Sequence, residues 1–139
     1  VFASSREERD LLHQQPMIKT TLDLAAQANV TFLGIGELDD DAPLFVDGFI
    51  TAAELRALQK SGGVGEIVGW SFDRSGRFID GLTNDRVASA PLPSREKSLV
   101  IAIAKGQRKL AGISGAIRRR IINGLITDEL TAEALLAEK

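Results

Sequence analysis

Three cations surround a glycine in Lys105-Gly106-Gln107-Arg108-Lys109, directly behind the apolar run Leu99-Val100-Ile101-Ala102-Ile103-Ala104. A strand that passes through glycine into a helix aims free backbone amides at an anion, and flanking lysines add charge. This segment is the strongest candidate in the chain for holding a phosphate or carboxylate, with a solvated basic turn as the alternative. It is not a P-loop, because the G-x-x-x-x-G-K-[ST] spacing is missing. A second candidate, Gly34-Ile35-Gly36, closes the apolar run that begins at Val30. Glycine lets a ligand approach the backbone and lets the chain turn sharply. No helix follows at once, so a dinucleotide fingerprint is not supported.

The acids divide by setting. Glu66 stands between Gly65 and Ile67, just ahead of an apolar segment, where a carboxylate could accept two sugar hydroxyls; an exposed acid is the alternative. Asp73 opens the turn sequence Asp73-Arg74-Ser75-Gly76, for which turn formation is reason enough. Asp39-Asp40-Asp41 could attract a cation, but the alternating ligand spacing of a calcium loop is missing, so a solvated loop tip is expected. The chain has one histidine, His13, placed on a helix surface with no partner in the pattern, and no cysteine. Thiolate ligands and disulfides are thereby excluded. Without G-x-S-x-G or a histidine beside a nucleophile, nucleophilic catalysis has little support. No catalytic residue, metal ligand or cofactor is expected. Arg118-Arg119-Arg120 are adjacent and so spread around a helix, which suits solvent or subunit contacts.

Composition narrows the class. With 17 basic against 19 acidic residues, the chain lacks the excess of cations that direct nucleic-acid binding draws on. DNA contact, if any, must come from another domain. The apolar runs stop well short of the ~20 residues of a membrane span, and the first residues lack the form of a signal peptide. A cytoplasmic location is expected. The chain opens on Val1 without an initiator Met, so it reads as a fragment.

The elements that must position these residues follow from caps and periodicity. Ser5-Arg6-Glu7-Glu8 and Thr51-Ala52-Ala53-Glu54 have the form of capping boxes. Pro16 should end one helix and open the next, which runs to Ala28. Val30–Ile35 reads as a buried parallel strand, and Glu37–Gly48 as a loop. The helix from Thr51 runs to Lys60 and stops at Ser61-Gly62-Gly63. Ile67–Phe72 and Arg77–Ile79 read as a hairpin around the turn at Asp73. Leu99–Ala104 is the clearest strand, followed by a helix over Gln107–Ile122. Leu125–Thr127 is a short strand, and Thr127 or Asp128 caps a final helix. Helices alternating with apolar strands imply an α/β fold, with a mostly parallel sheet and helices on both faces. Ligands of such sheets sit in the loops after the strands. That rule selects Gly34–Glu37, Lys105–Lys109 and Thr127–Glu129.

Several segments in order resemble the C-terminal effector domain of SorC-type bacterial transcriptional regulators. They are Phe32-Leu33-Gly34-Ile35-Gly36, Gly48-Phe49-Ile50, Gly63-Val64-Gly65-Glu66-Ile67-Val68-Gly69 running on to Phe72-Asp73 and Gly76, and Asn84-Asp85-Arg86. Val100-Ile101-Ala102-Ile103-Ala104 leading to Lys109, and Leu125-Ile126-Thr127-Asp128-Glu129 with Thr131-Ala132, complete the set. The resemblance implies a Rossmann-like sheet related to sugar-phosphate isomerases, glucosamine-phosphate deaminases and CoA-transferase-like proteins. It implies a phosphorylated sugar or related metabolite as effector, and dimers or tetramers. It also implies a DNA-binding domain N-terminal to this region, with the first part of the effector domain lying upstream as well. A sensing and oligomerisation module is thus expected, and an isomerase or deaminase on the same fold is the alternative. By resemblance, Glu66 contacts the sugar, Lys109 contacts the ligand, and Gly36 and Glu37 line the pocket. Gly34, Asp73 and Lys105 are further candidates. Glu37 departs from the small hydroxyl residue of the family pattern, adding bulk and negative charge, and Lys105 stands where a glycine is usual.

Overall fold

The chain, described over residues 2–138 by a computed structural model, begins its helices where the caps predict. Ser5 Oγ accepts from the Glu8 amide at 3.2 Å and opens α1 (Arg6–Gln14). Pro16 is the first residue of α2 (Pro16–Ala26), where a missing amide hydrogen costs nothing. At α4 (Ala52–Lys60) the capping box is complete. Thr51 Oγ1 accepts from the Glu54 amide at 3.2 Å, and Glu54 accepts from the Thr51 amide at 2.8 Å. Asp128 accepts from the Thr131 amide at 3.0 Å and opens α6 (Glu129–Ala137).

Two sheets of three strands each follow from the apolar runs and the glycines. In the first, β1 (Val30–Gly34), β5 (Leu99–Ile103) and β6 (Gly124–Ile126) run parallel in the order β1-β5-β6. In the second, β2 (Gly36–Glu37), β3 (Gly63–Ile67) and β4 (Trp70–Asp73) are antiparallel. Helix α5 (Leu110–Arg118) packs Ile113 and Ala116 against Leu33, Val100, Ala102, Ile67 and Phe72, which form the larger core. Leu38, Ala42, Ile50, Leu55 and Leu58 form a smaller one around α4.

Three expectations shift. The expected hairpin forms around the Asp73 turn, with Phe72 bridging Phe78 and the Asp73 amide bonding the Arg77 carbonyl at 2.9 Å, but a second hairpin precedes it. Ile67–Phe72 is not one strand, because Val68 and Gly69 adopt φ values of 53° and 94° and turn the chain between β3 and β4. Positive φ at both central residues gives the sense of twist that antiparallel partners need. The loop expected over Glu37–Gly48 begins as strand β2 and contains the short helix α3 (Pro43–Val46). The helix after β5 starts with a 3₁₀ turn at Gln107–Lys109 and ends at Arg118 rather than Ile122. Arg120 takes φ 59°, while the Arg120 amide bonds the Ile117 carbonyl at 3.0 Å and the Ile121 amide bonds the Ala116 carbonyl at 2.9 Å. That is a Schellman stop, made here without glycine.

Asn84 ties the hairpin to the 3₁₀ turn Leu82–Arg86. Its buried amide accepts from the Ser71 amide at 2.8 Å and donates to the Ser71 and Ile79 carbonyls at 2.9 and 2.7 Å. Arg86 donates to Glu54 at 2.6 Å and to the Ala3 carbonyl at 2.9 Å. The Asn84-Asp85-Arg86 segment is therefore a structural brace.

The two faces of the parallel sheet differ. Val100 and Ala102 are fully buried, whereas on the opposite face Phe32 is 60% exposed and Ile103 53%. Ala25 of α2 and Ala28 just beyond it line a groove with Val30 and Phe32. Urea unfolding of this chain should separate the faces. Ile113→Ala is expected to cost about 3 kcal/mol through the cavity it leaves. Phe32→Ser should stay within about 0.5 kcal/mol of the parent; equal losses would contradict the one-sided core.

Candidate functional site

The parallel strands end at the loops the topology rule selects, and two cavities open there. The first, of about 460 Å³, is lined by Gly34, Ile35, Gly36, Glu66, Gly69 and Lys109, with Phe2, Phe32, Leu44, Phe49 and Val68 among its apolar walls. The second, of about 430 Å³, lies beside β5 and β6 and is lined by Lys105, Lys109, Thr127 and Asp128. Lys109 belongs to both.

Glu66 reaches the first cavity from β3, not from the end of a parallel strand. It pairs across the sheet with Gly36. A Cβ at position 36 would lie 2.2 Å from Glu66 Oε1, so the carboxylate occupies the room a side chain would take. Its other oxygen accepts from the Gly69 amide at 2.7 Å, which fixes the acid on its own hairpin turn. Burial pushes the Glu66 carboxyl above its ordinary value, and the Gly69 amide and Lys109 only partly offset this.

Lys109 ends the 3₁₀ turn and extends back to β1. Its ammonium donates to the Ile35 carbonyl at 2.6 Å and stands 3.3 Å from Glu37 Oε2. The loop beneath it is fixed at Gly106, whose φ of 106° suits glycine and whose amide donates to Thr131 Oγ1 at 2.9 Å. Arg108 faces outward and is engaged by Asp39 through two bonds of 2.6 Å, with Glu37 at 3.7 Å. The Arg108 guanidinium holds the Asp39 carboxyl below the usual range.

The remaining candidates separate cleanly. Gly34, Gly36, Glu66 and Lys109 meet at the first cavity, and Lys105 lines the second. Glu37 is buried behind Lys109. Asp73 closes its own turn, accepting from the Ser75 amide, the Ser75 hydroxyl and the Arg77 amide at 2.8, 2.7 and 3.0 Å, and it lines neither cavity. His13 does have a partner, its Nε2 lying 3.1 Å from the Ala88 carbonyl, so it ties α1 to a loop rather than facing solvent freely. Of the acidic run, Asp39 binds Arg108 and Asp40 accepts from Gln59 at 3.2 Å. Among the described residues, no group of three or more His, Asp or Glu side chains is placed to hold a metal.

Sequence reasoning missed the Asp39–Arg108 clamp, although an acidic run and a basic run at successive strand ends are its signal. It also missed Phe2, Leu44 and Phe49 as walls, for which spacing carries no signal at all.

Residues 1–137 match the family described as "Putative sugar-binding domain". The chain belongs to this sugar-binding domain family. It is 32% identical over 99% of its length to the erythritol catabolism regulatory protein EryD of Brucella abortus, covering 43% of that protein. It is 31% identical over 98% of its length to the deoxyribonucleoside regulator of Bacillus subtilis, covering 44% of it. The full-length sorbitol operon regulator SorC of Klebsiella pneumoniae superposes with a TM-score of 0.88 at 27% identity, over 97% of this chain and 44% of that one. The chain thus spans less than half the length of these relatives, all of them named as regulators.

Two measurements test the geometry of the sugar-binding domain. A group whose folded pKa is raised binds its proton more tightly in the native state, so its contribution to stability is present at low pH and lost as pH rises. The parent should therefore gain stability relative to Glu66→Gln on acidification from neutrality to below the ordinary glutamate value of 4.5. A difference that does not change with pH would contradict the burial of this acid. Gly36→Ala should shift the Glu66 and Gly69 resonances in amide NMR while leaving those of α4 in place, and unchanged Glu66 and Gly69 signals would count against the contact.

Proposed function

We propose that this sugar-binding domain senses a small sugar-derived effector for a bacterial transcriptional regulator, and that it is not an enzyme. One observation carries the reading: a half-buried acid and a backbone-anchored lysine line one cavity with apolar walls, at the ends of a parallel sheet. Such a cavity suits a polyhydroxylated ligand. Hydroxyls donate to Glu66 and accept from Lys109, and the ring or chain carbons meet Phe32, Phe49 and Val68. Charge-assisted hydrogen bonds of this kind fix orientation as well as affinity.

The effector is a phosphorylated sugar or a related metabolite, with its hydroxyl-bearing end against Glu66 and Lys109 and its phosphate directed away from Glu37. The absence of an enzymatic role is supported by the cavity's polar set. It holds an acid and a lysine, while the chain's one histidine is bonded to Ala88. The names of the relatives support a regulatory setting, in which a DNA-binding domain N-terminal to this one makes the operator contacts and the protein works in the cytoplasm as a dimer or tetramer. Binding shifts an equilibrium only through different affinity for two states. The effector would favour one spacing of the DNA-binding domains within the oligomer.

Titrating the full-length protein on its operator with a panel of sugars and sugar phosphates tests this. Glu66→Gln and Lys109→Ala should each raise the concentration needed for response by about 10- to 100-fold, as expected for losing a hydrogen bond to a charged group. If both variants respond like the parent, the effector binds elsewhere. Turnover of any panel compound would remove the non-enzymatic reading.

A further inference from the structure

Among the described residues, Lys109 is the one cation that lines the first cavity, and Glu37 already pairs with it. Glu37 stands behind it with its Oε2 3.3 Å from the ammonium, and the side chain is 11% exposed. That oxygen is shielded from solvent and has no hydrogen-bond partner among the described residues, since the ammonium is directed to the Ile35 carbonyl instead. A carboxylate so placed acts on Lys109 without dilution by water. The second nearby cation gives no relief. Arg108 lies 3.7 Å from Glu37, but both of its strong bonds go to Asp39. Glu66 adds a further acid to the same cavity. Among the described residues, the local balance is therefore two carboxylates against the one ammonium of Lys109.

An anionic group brought to Lys109 would meet the field of Glu37 directly behind it. It would have to separate that pair, leaving a carboxylate buried and unpaired, and such a loss is costly. A hydroxyl needs no such rearrangement, because it accepts from Lys109 while the ion pair stays intact. We propose that Glu37 is the charge-selectivity residue of this cavity: by holding Lys109 it fills the place of a ligand anion, so the end of the ligand beside Lys109 is an uncharged hydroxyl or carbonyl, and sugar acids or sugars phosphorylated at that end are turned away. The identity of the ligand class rests on the sensing role proposed above; the exclusion of anions at Lys109 does not.

The test uses the full-length protein and inorganic phosphate as the probe, followed by calorimetric titration. Glu37→Gln should bind phosphate at least about tenfold more tightly than the parent, and Glu37→Gln/Lys109→Ala should return to the parent value. Glu66→Gln removes the same charge from the cavity but leaves Lys109 held, so its gain should fall well short of that. Glu37→Ser serves the same purpose should the amide variant not fold. Phosphate binding that is equal in parent and Glu37→Gln, or a gain that survives loss of Lys109, overturns the proposal, as does an equal gain in Glu66→Gln. A second arm compares glucitol with gluconate: the parent should favour the polyol and Glu37→Gln should lose that preference. If no sugar or polyol binds any form, the sensing role fails, while the phosphate arm still decides the part played by Glu37.

Discussion

Everything at this site depends on how closely two short strands can approach where glycine faces an acid. In the pairing of β2 with β3, Gly36 stands opposite Glu66 and Glu37 opposite Gly65. Each carboxylate thus has a partner that leaves it room. Because successive residues in a strand point to opposite faces, the pairing sends Glu66 into the first cavity and Glu37 to the other side, toward Lys109 and Arg108. Gly65 serves a second contact. A Cβ there would come within 3.1 Å of Gly112 Cα and 3.0 Å of the Phe72 ring, so α5 can lie on β3 only while both positions stay small. The same few glycines set the depth of the acids and the seat of the helix that follows Lys109.

The lysine is positioned by a different kind of constraint, a chain of local bonds running from one strand end to the next. Asp128 caps α6 through the Thr131 amide, and the Thr131 hydroxyl accepts from the Gly106 amide. Gly106 leads into the 3₁₀ turn that presents Lys109, and Lys109 returns to the carbonyl of Ile35 between β1 and β2. The loops after β1, β5 and β6 are thereby joined by backbone and hydroxyl contacts, beside the packing of Ile35 and Ala104 in the larger core.

This division explains what the sequence displayed. The β-branched and aliphatic runs Val30–Gly34 and Leu99–Ala104 were legible as strands because their composition fits a pleated surface, and the caps at Ser5, Thr51 and Asp128 were legible because a side chain three residues ahead of an amide is a local event. The strand Gly63–Ile67 was not, because glycine carries no strand preference and its value there comes from α5 and Phe72, which are distant in sequence. The early end of α5 was equally hidden, since an arginine rather than a glycine takes the left-handed position at Arg120. Strand-end topology named the three loops. The topology could not say that Glu66 would enter from the neighbouring antiparallel sheet, or that Asp39 would draw Arg108 outward and leave Lys109 as the cation of the cavity.

The arrangement of charge gives the cavity a definite chemistry even before a ligand is specified. Burial raises the proton affinity of Glu66, and the Gly69 amide and Lys109 only partly offset this. A ligand hydroxyl donated to that carboxylate stabilises the ionised form and works in the same direction as Lys109. An acceptor-only group has the opposite effect, because it competes with Glu66 and Glu37 for the same ammonium. In the proposed reading, affinity for hydroxyls and resistance to anions are two consequences of one geometry, in which the acids are fixed by backbone pairing and the lysine is shared between them. On the same reading, the preference of the cavity changes with the side chain behind the lysine, while the apolar walls stay as they are.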